Sequence, residues 1–216
     1  MKDRARGRPS IVVLAGTNGA GKSSVAGAAI RERGSDYFNP DEATRRILDV
    51  NPGIGEREAN SQAWLQGKRL LEDAIASRRN FAFETTLGGN TIPALLERAH
   101  DAGLAVRVWY VGLEGAELHV ARVRSRVASG GHDIPEAKIR ERYRRSRENL
   151  IRLLPKLTEL RVFDNSAEGD PKADGAPSPR LILAMLDGKI QETCAVAEVP
   201  EWAKPIFVAA VRQYLD

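Results

Sequence analysis

Residues 11–15 (IVVLA) form a short, uninterrupted apolar run that ends in a glycine-rich turn, the pattern of a strand buried on both faces. From residue 22 to residue 33 the spacing is helical, and Gly34 stops it. A second strand is predicted over residues 36–39, closed by Pro40, with a helix starting near Glu42. A long helix is predicted at about 56–79, with Ala63, Leu65, Leu70, Leu71, Ala74 and Ile75 as its apolar face. Residues 81–83 read as a third strand, 92–102 as a helix ended by Gly103, and 104–111 (LAVRVWYV) as a strand of high β propensity. Two helices follow at roughly 114–128 and 135–154, separated by SGGHDIP, with Pro135 suited to a helix start. A fifth strand is expected at 160–163 and a loop at 167–179. The last residues are expected to add one short strand (about 189–196) and a helix from about 200. Strands alternating with helices imply an α/β fold with a parallel sheet covered on both faces.

Composition narrows the class. Hydrophobic residues are 42% and charged residues 29% of the 216, a globular balance, and no apolar run is long enough to span a bilayer. The basic N-terminus is followed by too short an apolar stretch for a signal peptide, and a single cysteine, Cys194, excludes a disulfide framework. The expectation is one domain over residues 1–216, cytoplasmic and without a membrane partner. The net charge of +4 is unevenly spread: between Arg122 and Arg152 lie nine arginines and one lysine against four acids. Such a block suits nucleic acid, nucleotide phosphates or a solvated helical face.

The most specific chemistry is at residues 16–23, where Gly16, Thr17, Asn18, Gly19, Ala20, Gly21, Lys22 and Ser23 match GxxxxGK[ST] without a mismatch. The glycines let the backbone wrap a phosphate with its N–H groups, and the following helix offers its N-terminus to the same anion. Lys22 suits the β- and γ-phosphates, and the Ser23 hydroxyl suits the shell of a Mg²⁺ ion. A nucleoside triphosphate, ATP or GTP, is therefore expected.

Two carboxylates follow strand ends, where an open parallel sheet places its ligands. Asp41 is positioned either to take a proton from an acceptor hydroxyl or to cap the helix near Glu42. Glu84, with Thr85 and Thr86, is positioned to bind acceptor hydroxyls or act on Mg²⁺ through water, or else is a strand-end acid facing solvent. No hydrophobic run ends in Asp-Glu, which weighs against a mechanical ATPase. Phosphoryl transfer needs cations opposite the phosphate loop, and the helices around SGGHDIP supply them as a lid over about 114–154. Arg122 and Arg126 share one helical face, and Arg142, Arg145 and Asn149 another. His132 reads as a loop hydrogen-bonder.

Six ordered segments, GTNGAGKSS at 16–24, NPD at 39–41, FETTL at 83–87, RVRSRVASGGHDIP at 122–135, RYRRSRENL at 142–150 and DNS at 164–166, resemble the zeta-toxin group of P-loop kinases. The resemblance implies a P-loop NTPase fold like that of nucleoside monophosphate kinases, with a five-stranded parallel core and a helical lid. Members studied as toxins phosphorylate UDP-N-acetylglucosamine on a sugar hydroxyl. Carried over by position, Lys22, Ser23 and Ser24 belong to the nucleotide site, and Asp41 matches the acceptor-activating aspartate. Glu84, Thr85 and Thr86 match the acceptor-binding segment. Arg126 with Arg142 or Arg145 matches the lid arginines, and Asn165 lies where a contact to the base is expected. The resemblance also allows a protein antitoxin as partner. The chain is shorter than the toxins of the two-protein systems, and GGHDIP marks a compact branch, with residues about 180–216 as a C-terminal strand and helix extension. Two other readings stand beside this one. One is a kinase of nucleic-acid ends, disfavoured by sparse aromatics in the basic block. The other is a nucleotide-dependent binding protein that hydrolyses ATP slowly.

Overall fold

The computed structural model describes residues 8–22, 37–131, 133–167 and 178–215. Ser23, Ser24, the rest of the helix expected up to residue 33, His132 and most of the expected 167–179 loop lie outside the described residues. In chain order the elements are β1 (Ser10–Ala15), β2 (Tyr37–Phe38), α1 (Pro40–Val50), α2 (Glu56–Ala76), β3 (Phe81–Thr85), α3 (Thr91–Asp101), β4 (Ala105–Gly112), α4 (Gly115–Ala128), α5 (Glu136–Leu153), β5 (Glu159–Asp164), β6 (Arg180–Leu186), β7 (Lys189–Thr193) and α6 (Lys204–Leu215). Among the described residues no helix is long and apolar enough to cross a membrane.

The strands form one sheet in the order β2-β3-β1-β4-β5-β6-β7. β1 lies between β3 and β4, parallel to both, with Val13 opposite Phe83 on one side and Val108 on the other. This central position explains its unbroken apolar run, since both of its faces are covered. Ile11, Val13 and Ala15 join Phe81, Phe83, Val106, Val108 and Tyr110 in the larger core. Val12 and Leu14 pack on the other face with Ala82, Trp109 and Val111. Ile11, Val13 and Leu14 have no exposed surface, and burying each such side chain contributes about 1.5–3 kcal/mol.

The five parallel strands are as expected, but the sheet has seven. β6 and β7 form an antiparallel hairpin on β5, where the sequence reading had one strand at about 189–196. Asp187 and Gly188 join them with φ of 49° and 74°, a two-residue turn with both residues left-handed. Asp-Gly suits that geometry. The apolar face of α2 also differs from expectation. Ala59, Ala63, Leu71, Ala74 and Ile75 are buried, while Leu65 and Leu70 remain 42% and 37% exposed.

The C-terminal segment is tied to the carboxyl end of the sheet. Trp202, almost fully buried, donates its indole N–H to Asp164 Oδ1 (3.0 Å) and lies against the last residue of β4. A Cβ on Gly112 would sit 2.4 Å from the indole ring, so only glycine lets the ring approach.

Candidate active site

The carboxyl ends of β1 and β3 open onto a cleft of about 780 Å³, walled by α1, α2 and the start of α5. The phosphate loop leaves β1 at Gly16, whose N–H donates to Thr85 O (3.2 Å). Gly16, Gly19 and Gly21 have φ of 144°, 82° and 78°, values that L side chains rarely adopt. A side chain at Gly16 would also strike Val111 O at 2.2 Å. The loop is thus a cradle that only these glycines can build, and its form fits a phosphate. Thr17 turns its side chain into the core, where it bonds Tyr110; Tyr110 in turn donates to Ser146 Oγ on α5 (3.0 Å). Burial pushes the Tyr110 phenol up to about 12, so it stays a donor. Asn165 braces the loop from the end of β5, its amide donating to Ala20 O (2.9 Å).

Lys22 reaches back to Gly16 O (2.9 Å). Burial pulls its ammonium below the usual lysine range; Glu84 and Asp41 oppose the pull, and Arg126 and Arg142 add to it. These five charged groups, read from five separate segments, therefore converge on one place.

The cap alternative for Asp41 is overturned. Asn39 is the N-cap of α1, accepting from Asp41 N (2.8 Å) and Glu42 N (3.2 Å), and Pro40 occupies the first helical position. Asn-Pro is a local signal that would have marked it. The Asp41 carboxylate is left facing the cleft, 3.8 Å from Arg126 Nη1. The solvent-facing alternative for Glu84 fails as well: it is 7% exposed and accepts hydrogen bonds from the Tyr37 hydroxyl and from Asn39 Nδ2 (3.1 Å). Thr85 and Thr86 line the cleft, each hydroxyl accepting from a backbone N–H two residues on.

Of the lid arginines, Arg142 Nη1 donates to Asn18 Oδ1 in the phosphate loop (2.8 Å). Arg145 borders the cleft and pairs with Glu141 (3.4 Å). Sequence reasoning missed the roles of three supporting residues, namely Asn39, Trp64 on the α2 wall of the cleft, and His119, buried behind the phosphate loop, and it missed the contact made by Asn149. Asn149 donates its amide to Leu87 O (2.7 Å) and Gly89 O (3.0 Å), holding the loop after β3. His119 and Asn149 act on residues 101 and about 60 positions away, so no local pattern reveals them. Among the described residues, no group of three or more His, Cys, Asp or Glu is placed to hold a metal ion.

Residues 1–169 match the family model described as zeta toxin. An uncharacterized protein of Haemophilus influenzae is 31% identical over 132 residues, which cover 61% of this chain and 91% of that one. Among solved structures, a chain of the AvrRxo1-ORF1:AvrRxo1-ORF2 complex with sulphate ions superposes with a TM-score of 0.66 at 16% identity, over 95% of this chain and 65% of that chain. The complex with ATP gives the same values. A chain from the PezAT chromosomal toxin–antitoxin system of Streptococcus pneumoniae has a TM-score of 0.54 at 16% identity, over 96% of this chain and 86% of that one. The present chain thus spans 65% of the AvrRxo1 chain, and at these identities the likeness is one of fold. On the family match, with the sheet order and the glycine cradle in accord, the chain belongs to the zeta toxin family of P-loop kinases.

Proposed function

We propose that the protein transfers the γ-phosphate of ATP to a hydroxyl of a nucleotide sugar such as UDP-N-acetylglucosamine. The observation that carries this reading is the convergence of Lys22 with a solvent-accessible carboxylate, Asp41, in one cleft large enough for a drug-sized acceptor. Asp41 takes the hydroxyl proton as the acceptor oxygen bonds to the γ-phosphorus and the bond to the β-phosphate oxygen breaks. Lys22, Arg126 and Arg142 hold the charge that develops on the transferring group. Arg145 guards the cleft edge, and Glu84, Thr85 and Thr86 position the acceptor. Mg²⁺ would stand beside the Ser23 hydroxyl and neutralise charge on the β- and γ-phosphates. Residues 16–22, with Ser23 and Ser24, make up the nucleotide site, and Asn165 stands on the side assigned to the base. α4 and α5 serve as the lid over about 114–154, within one kinase domain over residues 1–216.

A chain related in fold was crystallised with ATP, and both the AvrRxo1 and PezAT structures hold two-protein systems. These support ATP as donor and a protein antitoxin as partner, in the cytoplasm where ATP is supplied. The basic block fits nucleic acid poorly. Arg124, Arg140, Arg144, Arg145 and Arg152 are each paired with a glutamate, which leaves little open cationic surface for a phosphate backbone.

The test is incubation with γ-labelled ATP, Mg²⁺ and either UDP-N-acetylglucosamine or a metabolite extract, with products identified by mass. Labelled UDP-N-acetylglucosamine phosphate is the expected product. Label on another metabolite alone refutes the acceptor, and label released only as inorganic phosphate refutes the kinase.

A further inference from the structure

His119 lies in the second turn of α4, directly behind the phosphate loop, and only 1% of its surface is exposed. Its Nδ1 is 2.8 Å from the carbonyl oxygen of Asn18. A carbonyl only accepts, so Nδ1 carries the proton. Burial holds the imidazole pKa down to about 4, the Asn18 contact opposing and Lys22 adding to that shift, so the ring is neutral at physiological pH. The backbone of α4 also abuts the loop: a Cβ on Gly19 would meet His119 O at 2.7 Å. His119 and the loop are therefore held in one fixed relation.

No peptide bond among the described residues is cis. In a trans peptide the C=O and the next N–H point in opposite directions. Holding Asn18 O against His119 on the outer wall therefore aims Gly19 N–H the other way, into the cradle. The side chain of Asn18 is gripped too, since its Oδ1 accepts from Arg142 Nη1 (2.8 Å). One loop residue is thus fixed at its carbonyl by α4 and at its side chain by α5.

We infer that His119 is a positioning residue of the nucleotide site, which orients the Asn18–Gly19 peptide so that Gly19 N–H donates to a phosphate oxygen. The inference rests on the reading of residues 16–23 as a triphosphate site. It concerns how the cradle is held open in the right orientation, and assigns His119 no contact with substrate.

The test compares His119→Asn, whose amide nitrogen keeps a donor near the position of Nδ1, with His119→Leu, which fills the space without one. Affinity for a fluorescent ATP analogue is measured with Mg²⁺, alongside thermal melting. We expect His119→Leu to weaken binding about tenfold, the loss of one oriented phosphate donor, with the KM for the sugar acceptor unchanged. His119→Asn is expected to restore affinity to within about threefold. Independently, ¹⁵N NMR of the imidazole in the wild-type protein should show the proton on Nδ1 and no titration between about pH 5 and 8. A proton on Nε2 overturns the inference whether or not the leucine variant folds. Wild-type affinity in folded His119→Leu overturns it as well, as does equal loss in both variants. Absence of analogue binding by the wild-type protein overturns the nucleotide reading itself, and the inference with it.

Discussion

Removing the Asn149 amide should loosen the acceptor side of the cleft by a calculable amount. Asn149 is 7% exposed, and its Nδ2 serves two carbonyls, Leu87 O at 2.7 Å and Gly89 O at 3.0 Å. Leu87 is itself unusual, a non-glycine residue at φ 55° with only 1% of its surface exposed. Its left-handed backbone costs on the order of 1–3 kcal/mol and persists only because its surroundings hold it. Asn149→Ala removes two hydrogen bonds, each worth about 0.5–1.5 kcal/mol, and leaves Leu87 O buried without that donor. Gly89 is exposed and can turn to water, so most of the loss falls on Leu87. The sum is about 2–3 kcal/mol, which for a chain of this size lowers the melting temperature by roughly 5–10 °C. Asn149→Asp is the sharper variant. It keeps the shape but sets an oxygen against two carbonyl oxygens, so it should destabilise at neutral pH at least as much as alanine. Melting curves and urea titrations measure both. Because Thr85 and Thr86 begin the same loop, the KM for the acceptor should rise more than the Kd for ATP. If both variants melt within about 1 °C of wild type, or if aspartate is tolerated, the assigned role of Asn149 is refuted.

Asp41→Asn should bind ATP as wild type does yet transfer phosphate about 10²–10⁴-fold more slowly, the usual contribution of a general base; undiminished turnover would remove the base assignment. His119, facing Lys22, Arg122 and Arg147, makes stability depend on pH. Its folded pKa of about 4 lies below the ordinary value of 6.5, so between those values the unfolded chain binds the extra proton. Stability is therefore full above about pH 6.5 and falls as pH drops towards 4, with about 2 kcal/mol lost by pH 5. Urea titrations at pH 7.5 and 5 should show that loss in the wild type and not in His119→Asn. Gly112→Ala places a methyl group 2.4 Å from the Trp202 ring; it should cost about 1–3 kcal/mol by overpacking and shift tryptophan emission to the red. An unchanged spectrum and melting curve would show that the ring is not held there.

What the sequence determined by itself is what short stretches of chain enforce. β1 and the phosphate loop were legible because a doubly buried strand must be apolar throughout, and because left-handed φ at residues 16, 19 and 21 demands glycine. The parallel core followed from the alternation of strand and helix patterns. The hairpin of β6 and β7 was half legible: Asp187-Gly188 is a local turn signal, but RLILAML mixes helix and strand formers. Pairing of β6 with β5 decided it.

The electrostatic layout was legible only in outline, because its parts are far apart in the chain. Whether Asp41 capped a helix or faced a ligand turned on Asn39 taking the cap. Glu84 was buried rather than solvated only because β2 pairs with β3, bringing Tyr37 and Asn39 to its carboxylate. Helical spacing left Arg142 and Arg145 equivalent, and the packing of α5 separates them: Arg142 reaches Asn18, while Arg145 pairs with Glu141 one turn away. Local patterns encode backbone conformation because φ, ψ and burial act within a few residues. Which charges meet in a cleft depends on how strands order and helices dock, and only the tertiary structure decides that.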